Sequence, residues 1–149
     1  MKAQLINEMK VRLPAISENE SVARSLVSAF SASLNPTVEE LADLRCAVSE
    51  AVTNCIVHAY VHKKESDARF FHLTVRLYDE GTVCVEIADR GCGIEDVEKA
   101  RQPFFTTGKP EERCGMGFLV MESFTDSCRV RSKVGAGTTV ILKKKFSRD

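Results

Sequence analysis

Glu50 and Asn54 stand four residues apart in the run SEAVTNCIVHAY. On a helix that spacing places both on one face, and at about 100° per residue that face lies opposite the apolar stripe. Such a pair alone most often marks a solvated helix surface, so a chemical role needs a partner elsewhere. Asp89 is the first candidate. It closes the run VCVEIAD and is followed by Gly91 and Gly93. A carboxylate fixed at a strand end accepts a hydrogen bond from an amine held in a pocket. Adenine offers such a donor at N6, where guanine has a carbonyl that a carboxylate repels. The glycines would let a flat ring approach the backbone. An Asp-Gly exit from a strand is also common without any ligand.

Gly115 and Gly117 open a later apolar run, GFLVMESFTD. A helix N-terminus with bare N–H groups attracts anions, so phosphates would dock there. Between the glycine pairs lies a polar stretch, EDVEKARQPFFTTGKPEERC, at 95–114. It reads as a loop able to cover whatever sits between them. Its candidate nucleotide contacts are Thr106, Thr107, Lys109 and Arg113. The two basic residues suit a polyphosphate, or equally a solvated loop.

The elements that must position these groups follow from periodicity. MKVRL at 9–13 alternates and predicts a strand. Ser17 and Glu20 form a capping-box pattern, after which Val22, Ala23, Leu26, Val27 and Phe30 recur at helical spacing. LNPT breaks that helix. Thr37 and Glu40 start another, whose apolar face runs through Leu41, Leu44, Val48, Val52, Cys55 and Ala59. FFHLTVRLYD and VCVEIAD alternate around DEGT and predict an antiparallel hairpin. EDVEKA suits a short helix and GFLVMESFTD another. CRVRSKV and TTVILKKKF close the chain as a hairpin around GAG. The expected fold is α+β, a two-layer sandwich with helices on one face of a mixed, mostly antiparallel sheet.

The 149 residues suit a single domain, 1–149. Twenty-one basic residues balance 21 acidic ones, which removes the electrostatic case for general nucleic-acid or membrane binding. No apolar run approaches a membrane span, and MKAQLINEMK lacks a signal-peptide core. The six cysteines include no C-x-x-C pair, which disfavours zinc. They read as small hydrophobes in a reduced, cytoplasmic compartment.

The order of these features carries a resemblance. EAVTN at 50–54, DRGCG at 89–93, GMGF at 115–118 and GAGTT at 135–139 resemble the N box and glycine boxes of the GHKL family. Gyrase, MutL and histidine kinases share that ATP-binding domain, also called the Bergerat fold. A narrower likeness runs almost end to end. SENESVAR, LNPTVEELADLRCAVSEAVTNCIVHAY, ARQPFFTTGKPEERCGMGF and TTVILKKKF look like the anti-sigma factor serine kinases of spore-forming bacteria. Ala59 stands where those relatives often have glycine, and KKESDARF has little family character; neither departure falls on a motif residue, and neither is expected to touch one.

The resemblance implies roles. Asn54 would ligate Mg²⁺ through its side-chain oxygen, with ATP phosphates and waters completing the shell. Asp89 would read adenine, helped by Thr138 through water. Gly91, Gly93, Gly115 and Gly117 would let backbone approach the nucleotide, and 95–114 would be the ATP lid. Glu50 would be the catalytic base. In a loose phosphoryl-transfer transition state the proton leaves late, so its orientation matters more than its basicity.

The implied function is an ATP-dependent protein serine kinase that also sequesters a sporulation sigma factor. Its substrate would be an anti-anti-sigma factor, phosphorylated on serine. The sigma factor would use a different surface, on the first helix near Arg24, with Arg113 also a candidate partner contact. A homodimer is implied, with the first strand and helix as its natural surface. Two alternatives stand beside this: a sibling kinase controlling a stress sigma factor, and a nucleotide-dependent sigma-binding module without phosphoryl transfer. His58 continues the Glu50–Asn54 face and is read as structural, because phosphoacceptor histidines sit on a separate upstream helix.

Overall fold

The computed structural model describes residues 2–60, 69–102 and 117–147. Within them the order is β1 (Leu5–Pro14), α1 (Glu18–Ser31), a 3-10 turn (Ala32–Leu34), α2 (Val38–Val57), β2 (Phe70–Tyr78), β3 (Thr82–Asp89), α3 (Val97–Ala100), α4 (Gly117–Ser123), β4 (Ser127–Lys133) and β5 (Gly137–Lys145). The five strands form one sheet in the order β1-β2-β3-β5-β4. Every ladder is antiparallel. The two-layer α+β expectation therefore holds, with the mixed sheet narrowed to an antiparallel one among the described residues.

Alternation builds the core. Phe71, Leu73, Val75 and Leu77 of β2 are fully buried, as are Val83 and Val85 of β3. The opposite side chains of β2 lie half-buried on the sheet's other face. The buried residues meet Leu44, Val48, Val52 and Cys55 of α2, Val27 of α1 and Met121 of α4. Burying a side chain of this size stabilises by about 1.5–3 kcal/mol. Helix α2 packs on α1 and α4 and against β2, β3 and β5, so its position is fixed from several sides.

Two local expectations change. Ser17 sits in helical conformation (φ −58°, ψ −33°) and its side chain makes no capping bond. The Glu20 carboxylate that would complete the box instead accepts from Ser49 Oγ and pairs with Arg24 Nε at 2.9 Å. A tertiary contact to Ser49 and an ion pair one turn along α1 outcompete the local cap. Strand β1 also starts at Leu5, four residues before the alternating run. A register shift against β2 between Leu5 and Asn7 breaks the alternation there. The Thr37 cap forms as expected: Glu40 N–H donates to Thr37 Oγ1 at 3.0 Å and Thr37 N–H to Glu40 Oε1 at 2.9 Å.

Candidate functional site

The C-terminal turn of α2 meets the exit of β3. Their junction holds the strand-end carboxylate and the glycines that follow it. Asp89 is 9% exposed. Its Oδ1 accepts the backbone N–H of Gly91 at 2.9 Å and that of Thr138 at 3.2 Å. The Cys55 thiol donates to its Oδ2 at 3.6 Å. Burial pushes the Asp89 carboxyl above its ordinary range, and the hydrogen bonds from Gly91, Thr138 and Cys55 pull it back in part. Burial, together with the Asp89 charge, pushes the Cys55 thiol well up, so it remains a protonated donor.

Close backbone packing explains two glycines. A Cβ on Gly91 would overlap the carbonyl oxygen of Ala59, and one on Gly137 would overlap that of Asp89. Gly137 also has φ +118°, which L side chains rarely adopt. Ala59 O further accepts the N–H of Cys92 at 2.7 Å. Ala59 therefore touches the first glycine motif directly, contrary to the expectation that its departure from the family would reach no motif residue. Gly93 packs over Lys133, and Ser132 Oγ accepts the N–H of Ile94 at 2.7 Å. The closing hairpin thus braces the turn from its other side. Thr138 reaches Asp89 directly through its backbone N–H, while its hydroxyl shares a hydrogen bond with Ser132 Oγ at 2.8 Å.

Asn54 and Glu50 lie half-buried on α2. The Asn54 carbonyl closes the helix, accepting from His58 N–H at 3.0 Å and Ala59 N–H at 3.1 Å. Its side-chain amide makes no hydrogen bond among the described residues, which leaves a hard oxygen donor available to a cation. Glu50 lines a cleft of about 340 Å³ between α1, α2 and α4, together with Arg24, Arg45, Cys46, Ser49 and Val120. Arg24 was expected on a surface separate from the catalytic group. The structure instead places it half-buried on the same cleft as Glu50.

Gly117 is buried at the start of α4. Thr106, Thr107, Lys109, Arg113 and Gly115, and with them most of the expected lid, lie outside the described residues. His72 stacks edge-on against Phe70 on the sheet, 5.3 Å between ring centres. His58 occupies the C-cap of α2, in keeping with a structural role.

Two supporting residues escaped sequence reasoning. Tyr60 bridges β2 and the Asp89 turn through its hydroxyl, and Cys55 contacts the carboxylate itself. Both are types that commonly fill cores. The one available signal was Cys55 following Asn54 at the edge of the apolar stripe.

Comparison with known proteins follows the same lines. A sequence profile described as "Histidine kinase-like ATPase domain" matches residues 13–144. An anti-sigma F factor of Caldanaerobacter subterraneus subsp. tengcongensis is 49% identical over 144 residues, covering 96% of each chain. One from Geobacillus stearothermophilus is 49% identical over 141 residues, covering 94% of this chain and 93% of that protein. Among solved structures, the RsbU and RsbW domains of a Mycobacterium tuberculosis protein superpose with a TM-score of 0.69 at 19% identity, covering 97% of this chain and 34% of that longer one. A chain of the SiaB–SiaC complex from Pseudomonas aeruginosa gives 0.60 at 11% identity, covering 94% of this chain and 89% of that one. These two likenesses concern the fold.

Proposed function

The chain belongs to the histidine kinase-like ATPase domain family, alongside the anti-sigma F factors, and from that premise we propose that it is an ATP-dependent protein serine kinase and anti-sigma factor. One observation carries the nucleotide part of this reading. Asp89 is a buried carboxylate with no cationic partner among the described residues. Burying such a charge costs stability, and a perturbed carboxylate in a glycine-lined turn is a signature of a working site.

In this reading Asp89 accepts the N6 amine of adenine, with Thr138 beside it. Gly91, Gly93, Gly115 and Gly117 let backbone approach the nucleotide. Thr106, Thr107, Lys109 and Arg113 belong to the lid, 95–114. Asn54 offers its oxygen to Mg²⁺, and the unengaged amide fits that task. Bound Mg²⁺ supplies charge neutralisation on the phosphoryl group being transferred. Glu50 orients the serine hydroxyl and takes its proton as the oxygen bonds to the γ-phosphorus and ADP departs.

The phosphoacceptor is a serine of an anti-anti-sigma factor, and the added phosphate breaks that partner's binding through charge at the interface. The sigma factor is held near Arg24, with Arg113 a further contact. Because Arg24 and Glu50 share a cleft, the two partners would compete for overlapping ground. The dimer forms through β1 and α1. Leu5, Ile6, Ile16 and Val22 are exposed there, and β1 is an edge strand with unpaired backbone groups. The protein acts in the cytoplasm of a spore former.

A nucleotide-dependent sigma-binding module without transfer would need Asn54 and Asp89 but no carboxylate at Glu50. A stress-sigma sibling is disfavoured by the near full-length identity to anti-sigma F factors. Calorimetric titration with ATP and GTP, with and without Mg²⁺, tests the foundation. Magnesium-dependent binding with ATP preferred is expected; equal affinity for GTP would remove Asp89 as the base reader.

A further inference from the structure

We propose that the Cys55 thiol aims the Asp89 carboxylate at the incoming base, which makes Cys55 a positioning residue for nucleotide selection. The proposal rests on the reading of Asp89 as the adenine acceptor. The two carboxylate oxygens are held differently. Oδ1 accepts two backbone N–H groups, from Gly91 and Thr138, which fills both of its in-plane acceptor directions. Oδ2 has a single donor among the described residues, Cys55 Sγ at 3.6 Å, a reach that suits sulfur's larger radius. Oδ2 therefore keeps one direction open, and it is the oxygen left to receive an exocyclic amine.

Cys55 is 2% exposed, so bulk water does not compete for that contact. An apolar residue of similar size would pack as well but would leave Oδ2 without a donor in the free protein. The carboxylate plane would then be held from one side only. Cys55 also directly follows Asn54 on α2. One turn of helix thus carries both the residue assigned to the metal and the residue that sets the base reader, so α2 couples the two ends of the nucleotide site.

The test compares parent, Cys55→Ala and Cys55→Ser for ATP and GTP binding in the presence of Mg²⁺, with infrared spectra of the nucleotide-free proteins. Subtracting the Cys55→Ala spectrum isolates the Cys55 S–H stretch. A band at lower frequency than that of an unbonded thiol is expected. Cys55→Ala should lose about three- to ten-fold in ATP affinity, the scale of one weak hydrogen bond. Its ATP-over-GTP ratio should narrow, and Cys55→Ser should restore both. A packing defect would weaken the two nucleotides alike, leave the ratio unchanged and overturn the proposal. An S–H band at the unbonded position overturns it as well; if the Ala variant fails to fold, the Cys55→Ser spectrum, which also lacks this thiol, is the one subtracted. If the parent itself shows no preference for ATP, the Asp89 reading fails and the proposal falls with it. If the parent prefers ATP and Cys55→Ala matches it, only the role of Cys55 is lost.

Discussion

The backbone N–H of Arg90 donates to the Tyr60 hydroxyl at 2.8 Å, and that hydroxyl donates onward to the carbonyl of Phe70 at 2.6 Å. One phenol therefore ties the end of α2 to the start of β2 and the exit of β3. The Arg90 N–H that it accepts directly follows the carboxylate assigned to adenine. Burial raises the Tyr60 pKa, which keeps the hydroxyl protonated and able to donate.

Tyr60→Phe keeps the ring but leaves the Arg90 N–H and the Phe70 carbonyl without that partner. Losing these two partly buried hydrogen bonds costs about 1–3 kcal/mol, which lowers the melting temperature by roughly 3–10 °C in a chain of this size. Nucleotide affinity should fall too, because the turn carrying Asp89 loosens. Thermal melts and ATP titration of the purified variant check both; an unchanged melt would show that the bridge contributes nothing.

Gly91→Ala adds a methyl group where the Ala59 carbonyl already stands. Backbone must move on both sides, at a cost of about 1–3 kcal/mol or more. Adding Ala59→Gly should partly rescue this variant by removing one of the three crowding atoms, the Ala59 Cβ. Urea unfolding of the single and double variants measures this. Additive effects would show that the two residues do not press on each other.

Asp89→Asn separates function from stability. The Asp89 pKa is raised above its ordinary 3.8 by burial. A raised folded pKa gives a contribution that is complete below the unfolded value and lost as pH rises through the folded one. Ionised Asp89 therefore destabilises the fold at neutral pH. Asp89→Asn should melt at or above the parent near neutrality, with the gap closing as pH falls toward about 4. Its ATP affinity should drop about ten-fold or more, with weaker discrimination against GTP. A gap that widens in acid would contradict the sign.

Asn54→Ala removes the oxygen assigned to the metal. Magnesium-dependent ATP binding should disappear while the fold persists, since the side-chain amide bonds to nothing among the described residues. Calorimetry with ATP and Mg²⁺ checks it; unchanged affinity would take Asn54 out of the site.

The sequence made some of this architecture legible because its signals were local. Four-residue spacing placed Glu50 and Asn54 on one helix, and strict alternation placed Asp89 at a strand end. What it hid was tertiary. The Ser17 cap failed because Glu20 is claimed by Ser49 of α2 and by Arg24 one turn along its own helix. The cleft shared by Arg24 and Glu50 depends on how α1 lies against α2, which no periodicity encodes. Cys55 and Ala59 read as ordinary core residues until β3 brought Asp89 and Gly91 against them. The polar run 95–114 suggested a cover, and its residues 103–114 lie outside the described residues.

The central claim, a kinase that also holds a sigma factor, is tested most directly by Glu50→Gln. The swap keeps size and hydrogen-bonding capacity but removes the proton acceptor. Labelled phosphate transfer from ATP to a recombinant anti-anti-sigma factor, and sigma-factor capture, are measured on the same preparation. Transfer should fall about 10²–10⁴-fold, the usual contribution of a positioned base, while ATP binding and sigma capture persist. Transfer at the parent's rate would make Glu50 a bystander on the cleft wall and contradict the mechanism.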